Sequence, residues 1–167
     1  KIDIFHGIDT SWNRVKGGTK IGEIISEIEK EYNFREPSAS IPKLLIAYEK
    51  MHSLEDSHWK SIKIEEIKEI IASAAGLYLE AIATSPTTNP GEEIELNLEA
   101  INRSDYKINL VSVDLKPNTK KLTPDKDLVE NTSWKQKASF KINENVELTS
   151  PYWLRQKGSI GLYHMQD

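Results

Sequence analysis

The sequence predicts an α+β fold in which an N-terminal helical bundle precedes an antiparallel β-sandwich. Before residue 76, apolar residues recur every three to four positions, as they do on one face of a helix. After residue 76 they alternate in short runs separated by turn-forming residues, which is typical of an antiparallel sandwich. We therefore divide the chain into a helical region at 1–76, which begins with a junction at 1–18, and a β-sandwich domain at 77–167.

Three helices are predicted in the helical region. Thr19 and Ser40 are of the residue types that cap helix N-termini, and Gly76 is of the type that follows a helix end. The apolar stripes of the three helices are Ile21, Ile24, Ile25, Ile28 and Tyr32; Ile41, Leu44, Leu45, Tyr48 and either Met51 or His52; and Ile64, Ile67, Ile71, Ala74 and Ala75.

Alternating segments predict the strands of the second region. The segment 77–83 is either a strand or a continuation of the third helix, since both patterns fit it. The other predicted strands are 94–100, 108–115, 138–142 and 146–148, with loops at 84–93, 102–107 and 116–127. The segment 158–167 resembles a strand whose partner would come later in the chain. We therefore expect the sandwich to be truncated, with an open edge that needs protection.

Composition excludes several classes of function. The 167 residues carry a net charge of −4 and contain no cysteine, so disulfides and thiolate sites are excluded. Acids and bases are mixed along the chain without the basic stripe of a nucleic-acid-binding protein. No apolar run approaches the ~18 residues of a membrane span. We expect neither nucleic acid nor membrane as a partner.

The sequence also lacks a recognisable catalytic or metal-binding set. His6, His52, His58 and His164 are not spaced as metal ligands; His52 and Asp56 share a helix spacing, but two ligands do not make a zinc site. No nucleophile elbow or phosphate-binding loop is present. Two tripeptides, at 102–104 and 131–133, match the glycosylation acceptor pattern, which often arises by chance. We predict no catalytic, cofactor-binding or metal-binding residue in this chain.

Five residues are candidates for contact with a ligand or another domain. Asp9, Trp12 and Arg14 are polar or aromatic residues of types that bind polar ligands; alternatively, residues 9–11 cap a short helical turn through Trp12. Tyr152 and Trp153 are candidates for stacking on sugar rings, and the alternative is burial in the core. If 150–154 is a strand, these two rings point to opposite faces and one of them is buried.

Several segments together resemble a known protein region. They are GIDTSWNRVKGGTKIGEII (7–25), PSASIPKLLIAYEKM (37–51), HWKSIKIEEIKEIIASAAGLYLEA (58–81), NPGEEIELNLEAINRS (89–104) and SPYWL (150–154). The order of these segments and their amino-acid sequences resemble the region that follows the catalytic domain in large PIG-L (LmbE-like) deacetylases of Bacteroidetes-type bacteria. The fourth segment also resembles the start of an immunoglobulin-like module of the type found beside glycosidases, which implies an immunoglobulin-like β-sandwich.

The resemblance implies a parent enzyme that uses zinc to remove acetyl groups from N-acetylglucosamine-type sugars. The catalytic domain of that family carries a His-Pro-Asp-Asp motif, which is not present here. No catalytic residue of the family can be placed on this chain, so we expect a non-catalytic accessory region and zinc only in the catalytic domain. The expected partner is the chain's own upstream catalytic domain, and the expected location is extracytoplasmic in a bacterium.

Two other functions are weighed against this one. The chain could be a free-standing carbohydrate-binding or protein-interaction module, with a glycan as the partner. An enzyme in its own right is the least favoured alternative, because no convergent nucleophile, metal or acid–base set is found in the sequence.

Overall fold

The computed structural model describes residues 7–55, 57–116 and 120–162. The helices are α1 (Thr19–Glu31), α2 (Ile41–His52), α3 (Ser57–Ala74) and the short α4 (Tyr152–Arg155), with 3-10 turns at Trp12–Arg14 and Pro37–Ser40. The strands of the described part are β1 (Tyr78–Ala83), β2 (Glu93–Ile101), β3 (Ile108–Leu110), β4 (Val113–Leu115), β5 (Lys120–Leu122), β6 (Lys126–Leu128) and β7 (Trp134–Lys141). The chain is therefore α+β with antiparallel sheets, as the sequence predicts.

The three long helices share one apolar core, with α2 packed against both α1 and α3. The core is built from the stripes that the sequence predicts and includes Ile21, Ile24, Leu44, Met51, Ile64 and Ile67. At the end of α2, Met51 is the buried residue and His52 is exposed. Tyr32 was expected as the last residue of the apolar stripe of α1, and this is wrong: it follows the last residue of α1 and is 53% exposed.

The predicted N-terminal caps do not form. Thr19 is the first helical residue of α1, and the N-cap is Gly18. Ser40 occupies the N-cap position of α2, but its hydroxyl accepts no capping hydrogen bond. The reason is shared: each helix follows closely on a 3-10 turn, so Gly18 and Ser40 have helical dihedral angles. A side-chain cap normally requires the extended conformation at this position.

Gly76 ends α3 as predicted. It has a φ of +57°, and its N–H donates to the carbonyl of Ser73 at 2.9 Å. The N–H of Leu77 donates to the carbonyl of Ala72, also at 2.9 Å. These are the two hydrogen bonds of a Schellman motif, which closes a helix with a left-handed residue. The segment 77–83 then forms strand β1 and does not continue α3.

Replacing Gly76 by Ala is expected to lower the free energy of unfolding by about 1–2 kcal/mol. The added Cβ would strain the left-handed backbone and would lie 3.0 Å from the Cβ of Arg103. Gly76→Asn is the matched control, because Asn adds the same Cβ but tolerates this conformation better. Chemical denaturation followed by circular dichroism measures both variants. An Ala variant at least as stable as the Asn variant would contradict the left-handed cap.

The main sheet has the strand order β1-β2-β7 and is antiparallel throughout. One face of it is apolar: Leu98 and Ala138 are buried against Leu115 of β4, with the hairpin β4–β5 lying over them. The opposite face is charged, with ion pairs from β7 to β2 such as Lys137 to Glu95 at 2.9 Å. This division follows the alternation of side chains along a strand that is covered on one side.

Two predictions about the middle of the second region are wrong. The segment 108–115 forms two strands, β3 and β4, which pair with β6 and β5 respectively. β5 lies within the predicted loop 116–127, and β6 begins in it and ends one residue beyond it. Residues 117–119 are outside the described residues. The alternating pattern missed β5 and β6 because each contains a single apolar residue, Leu122 or Leu128.

The end of the chain also differs from the prediction. The strand β7 starts at Trp134, four residues before the predicted start, while 146–148 is exposed and forms no strand. Of the predicted strand 158–167, residues 158–162 form a turn with a single bridge between Ser159 and Leu162, and 163–167 lie outside the described residues. None of the described helices has the length and apolar character needed to cross a membrane.

Candidate functional site

The N-terminal stretch 7–18 forms a capped turn, as one of the two interpretations predicts. The Ser11 hydroxyl accepts the N–H of Asn13 at 3.2 Å and caps the 3-10 turn. Asp9 accepts the N–H of Ser11 at 2.8 Å. Hydrogen bonds from Ser11 hold the pKa of Asp9 below its ordinary value, and the charge of Arg14 adds a smaller effect. Asp9 therefore stabilises the turn as a carboxylate.

Trp12 and Arg14 attach this stretch to the helices. Trp12 packs against the helical core and lies over Gly22 of α1, where an added Cβ would be 3.0 Å from the Trp12 Cβ. The Arg14 guanidinium lies 4.8 Å from the centre of the Trp59 ring on α3, which is a cation–π distance. The structure thus brings Asp9, Trp12 and Arg14 into one turn. Their contact with another domain remains a prediction.

Replacing Trp12 by Ala is expected to lower the free energy of unfolding by about 2–3 kcal/mol, somewhat less than for a fully buried Trp. The variant loses the contacts that the Trp12 side chain makes with Gly22 and with the apolar residues of the helical core. Asn13→Ala is the matched control, because Asn13 is the next residue and is exposed. Urea denaturation compares the two. Equal stabilities of the two variants would show that Trp12 does not hold residues 7–18 against the helices.

Tyr152 and Trp153 lie side by side in α4, beyond the last strand. They are 47% and 48% exposed, and their ring centres are 5.0 Å apart at an angle of 86°. The expectation that one ring is buried is wrong because 152–155 is helical, so adjacent residues do not point to opposite faces of a sheet. The flanking residues Val146, Leu148, Leu154, Ile160 and Leu162 are exposed as well.

A groove between α1 and α3, over the start of α2, was not found from the sequence. It has a volume of about 800 Å³, and we call it the helical groove. Its walls and floor are apolar and include Ile25, Ile28, Leu44 and Ile70, while Glu29, Glu66 and Glu69 lie at its rim. The sequence shows an apolar stripe on α1 that runs from Ile21 to Tyr32, but it does not show which part of that stripe remains exposed after packing.

The edge strand β1 also leaves apolar side chains uncovered. Leu79 is 61% exposed and Ile82, on the opposite face of the strand, is 51% exposed. Leu79 pairs with Ala100 in the register and therefore shares the apolar face of the sheet. On this face Ala100 and Leu98 of β2 are buried, but the residues that cover them do not extend over Leu79 of β1. We call Leu79 and Ile82 together the β1 surface.

A buried polar residue was also missed, although its tripeptide was noticed. Asn102 is 1% exposed, so it does not act as a glycosylation acceptor in this fold. Its side-chain amide donates to the carbonyls of Tyr106 and Leu128 at 2.7 and 3.4 Å. Its side-chain oxygen accepts the N–H and the hydroxyl of Ser104 at 3.0 and 2.9 Å. Asn102 fixes the turn that follows β2.

Within the described ranges, no group of three or more His, Asp or Glu side chains is arranged to hold a metal ion. The ring of His52 lies edge-on to Tyr48, with centres 4.6 Å apart, so its place on α2 has a packing explanation. Asp56, its possible partner, lies outside the described residues, as do His6 and His164.

Comparisons with known proteins identify no relative. No protein-family model matches the chain, and no curated protein or solved structure matches it. The resemblance to the PIG-L deacetylases therefore remains a prediction from the sequence.

Proposed function

We propose that this chain is a non-catalytic accessory region of a zinc-dependent sugar N-deacetylase of the PIG-L type, which packs on the catalytic domain and orients it. The observation that carries the proposal is the β1 surface, where Leu79 and Ile82 are more than half exposed on an edge strand. Exposed apolar residues beside an unpaired strand edge are typical of a surface that another protein or domain covers.

We also propose a helical bundle followed by an immunoglobulin-like sandwich, zinc as the cofactor of the catalytic domain, and an extracytoplasmic location. Packing of α2 against both α1 and α3 supports a helical bundle, and the β4–β5 hairpin over the main sheet supports a two-layered immunoglobulin-like sandwich. Zinc belongs in this proposal to the catalytic domain and not to this chain. The parent protein is extracytoplasmic, either periplasmic or secreted.

The coding sequence around this segment gives the first test. We expect a His-Pro-Asp-Asp motif upstream, and a complete upstream reading frame without it would contradict the proposal. If the motif is present, the catalytic domain and this chain can be produced separately and their binding measured by calorimetry. Leu79→Lys is expected to weaken binding about tenfold or more, because it places a charge in an apolar contact. Val129→Lys, at another exposed apolar position, is the matched control.

A carbohydrate-binding module is the second candidate function, because Tyr152 and Trp153 are both about half exposed. Their perpendicular rings allow one of them, but not both, to lie flat against the same sugar. Titration calorimetry with N-acetylglucosamine oligosaccharides tests this function. Binding that disappears in Trp153→Ala and persists in Leu148→Ala would support it, and the absence of heat with the unchanged chain would contradict it.

A further inference from the structure

The helical groove is suited to a segment that is both apolar and basic. Leu44 at its floor is 3% exposed, whereas Ile70 on its wall is 51% exposed. Glu66 is paired with Lys63 of its own helix at 2.6 Å. Among the described residues, neither Glu29 nor Glu69 forms an ion pair. An apolar floor with free carboxylates at its rim favours a ligand segment that carries cations beside apolar side chains.

The segment 152–157 of this chain has that composition. Tyr152, Trp153 and Leu154 are 47%, 48% and 69% exposed. They are followed by the exposed cations Arg155 and Lys157, and no acid occurs between Glu147 and Asp167. The two aromatic rings form a compact perpendicular pair. Such a pair fits a groove better than the flat surface of a single sugar. We call residues 152–157 the tail segment.

The position of β7 decides which copy of the groove the tail segment can fill. Lys141, at the end of β7, pairs with Glu93, at the opposite end of β2 from Ile101. The end of β2 at Ile101 faces the helices, because Arg103 lies against Gly76 and the Ser38 hydroxyl bonds to Asp105 at 3.2 Å. The nine residues of β2 span about 26 Å.

A chain therefore reaches its own groove only with difficulty. The ten residues from 142 to 151 span at most about 33–36 Å when fully extended. They would have to retrace the length of β2, about 26 Å, and then continue to the groove. A turn at 143–146, in which the Val146 N–H donates to the carbonyl of Asn143 at 3.3 Å, shortens this reach further. A second copy of the chain has no such restriction.

We propose that the tail segment of one chain binds in the helical groove of a second copy, and that the second copy returns the same contact. The apolar side chains of the tail segment cover Ile28 and Ile70, while Arg155 and Lys157 face Glu29 and Glu69. The exchange is reciprocal and gives a two-fold symmetric dimer, the commonest arrangement of identical subunits. This inference does not depend on the proposed accessory function.

Sedimentation velocity of the full chain over a range of concentrations tests the proposal. We expect a reversible shift from the 19.0 kDa monomer to the mass of two chains. The double variant Trp153→Ala, Leu154→Ala is expected to raise the dimer dissociation constant about tenfold or more. Leu148→Ala, which removes a 75% exposed side chain outside the tail segment, is expected to leave it unchanged. Circular dichroism confirms that each variant is folded.

A charge exchange identifies the contact and its partner. One variant carries Glu29→Lys and Glu69→Lys in the groove, and the other carries Arg155→Glu and Lys157→Glu in the tail segment. Each alone is expected to be monomeric at concentrations where the unchanged chain dimerises, and a mixture of the two is expected to dimerise. A monomeric unchanged chain at all concentrations overturns the proposal. So does a dimer that neither variant weakens, because its interface then lies elsewhere.

Discussion

Replacing Ile67 by Ala is expected to lower the free energy of unfolding by about 3–4 kcal/mol. Ile67 lies in the middle of α3, is 2% exposed, and belongs to the core that α3 shares with α1 and α2. The substitution removes apolar atoms from full burial and leaves a cavity that the surrounding helices fill only in part. Because residues from three helices form this core, the loss affects the whole helical region.

The matched control is Ile46→Ala, which makes the same chemical change on α2 at a side chain that is 49% exposed. It is expected to change stability by about 0.5 kcal/mol or less. Guanidinium denaturation, followed by far-ultraviolet circular dichroism, measures both variants. If they lose the same free energy, α3 is not packed on its Ile67 face and the helical core described above is incorrect.

Replacing Asn102 by Ala is expected to lower the free energy of unfolding by about 2–4 kcal/mol, a large effect for one polar residue. The Asn102 side chain makes four hydrogen bonds, two to backbone carbonyls and two from Ser104. Truncation leaves these groups without partners in a region where Asn102 itself is 1% exposed. Unpaired buried polar groups keep their full desolvation cost.

Two further variants separate the parts of this effect. Asn102→Asp keeps the oxygen that accepts from Ser104 but replaces the N–H donors to Tyr106 and Leu128 by a buried carboxylate. We expect it to be no more stable than the Ala variant at neutral pH. Asn97→Ala, on the exposed face of β2, is the control and is expected to have little effect. A stable Asn102→Asp variant would show that the amide donors are not needed.

The helices of the helical region were largely predictable, because the spacing of apolar residues within each segment is enough to predict a helix. The spacing of Ile64, Ile67 and Ile71 predicts a helix without knowledge of its neighbours, and Gly76 marks its end for a conformational reason. The caps at Thr19 and Ser40 were not predictable in the same way. Whether such a residue caps a helix depends on the dihedral angles before it, and here 3-10 turns determine them.

The strands beyond β2 were less predictable because pairing is not local. Alternation along 108–115 suggests one strand, yet β3 and β4 pair with two different partners. The candidate contact residues show the same limit. Capping of the turn at Trp12 was one of the two interpretations that short-range preferences offered, and Ser11 makes this cap. Exposure of both Tyr152 and Trp153 was not foreseen, since it depends on how the chain continues after β7.

The helical groove could not be predicted, because it is formed by helices that are distant in sequence. Ile28 and Ile70 are separated by the whole of α2, and each alone looks like an ordinary apolar position of its helix. Only the packing of α1 and α3 on either side of Leu44 shows that Ile28 and Ile70 line a common groove and remain partly exposed.

The Schellman motif at Gly76 has a practical consequence for cutting the chain into fragments. The N–H of Leu77 closes α3, and β1 begins at the following residue, so no spare residue lies between the two elements. A fragment that stops at residue 76 would lose the donor to the carbonyl of Ala72, and its last helical turn would fray. A helical fragment should therefore retain Leu77, and a β fragment that starts at Leu77 would expose an N–H now used by the helix.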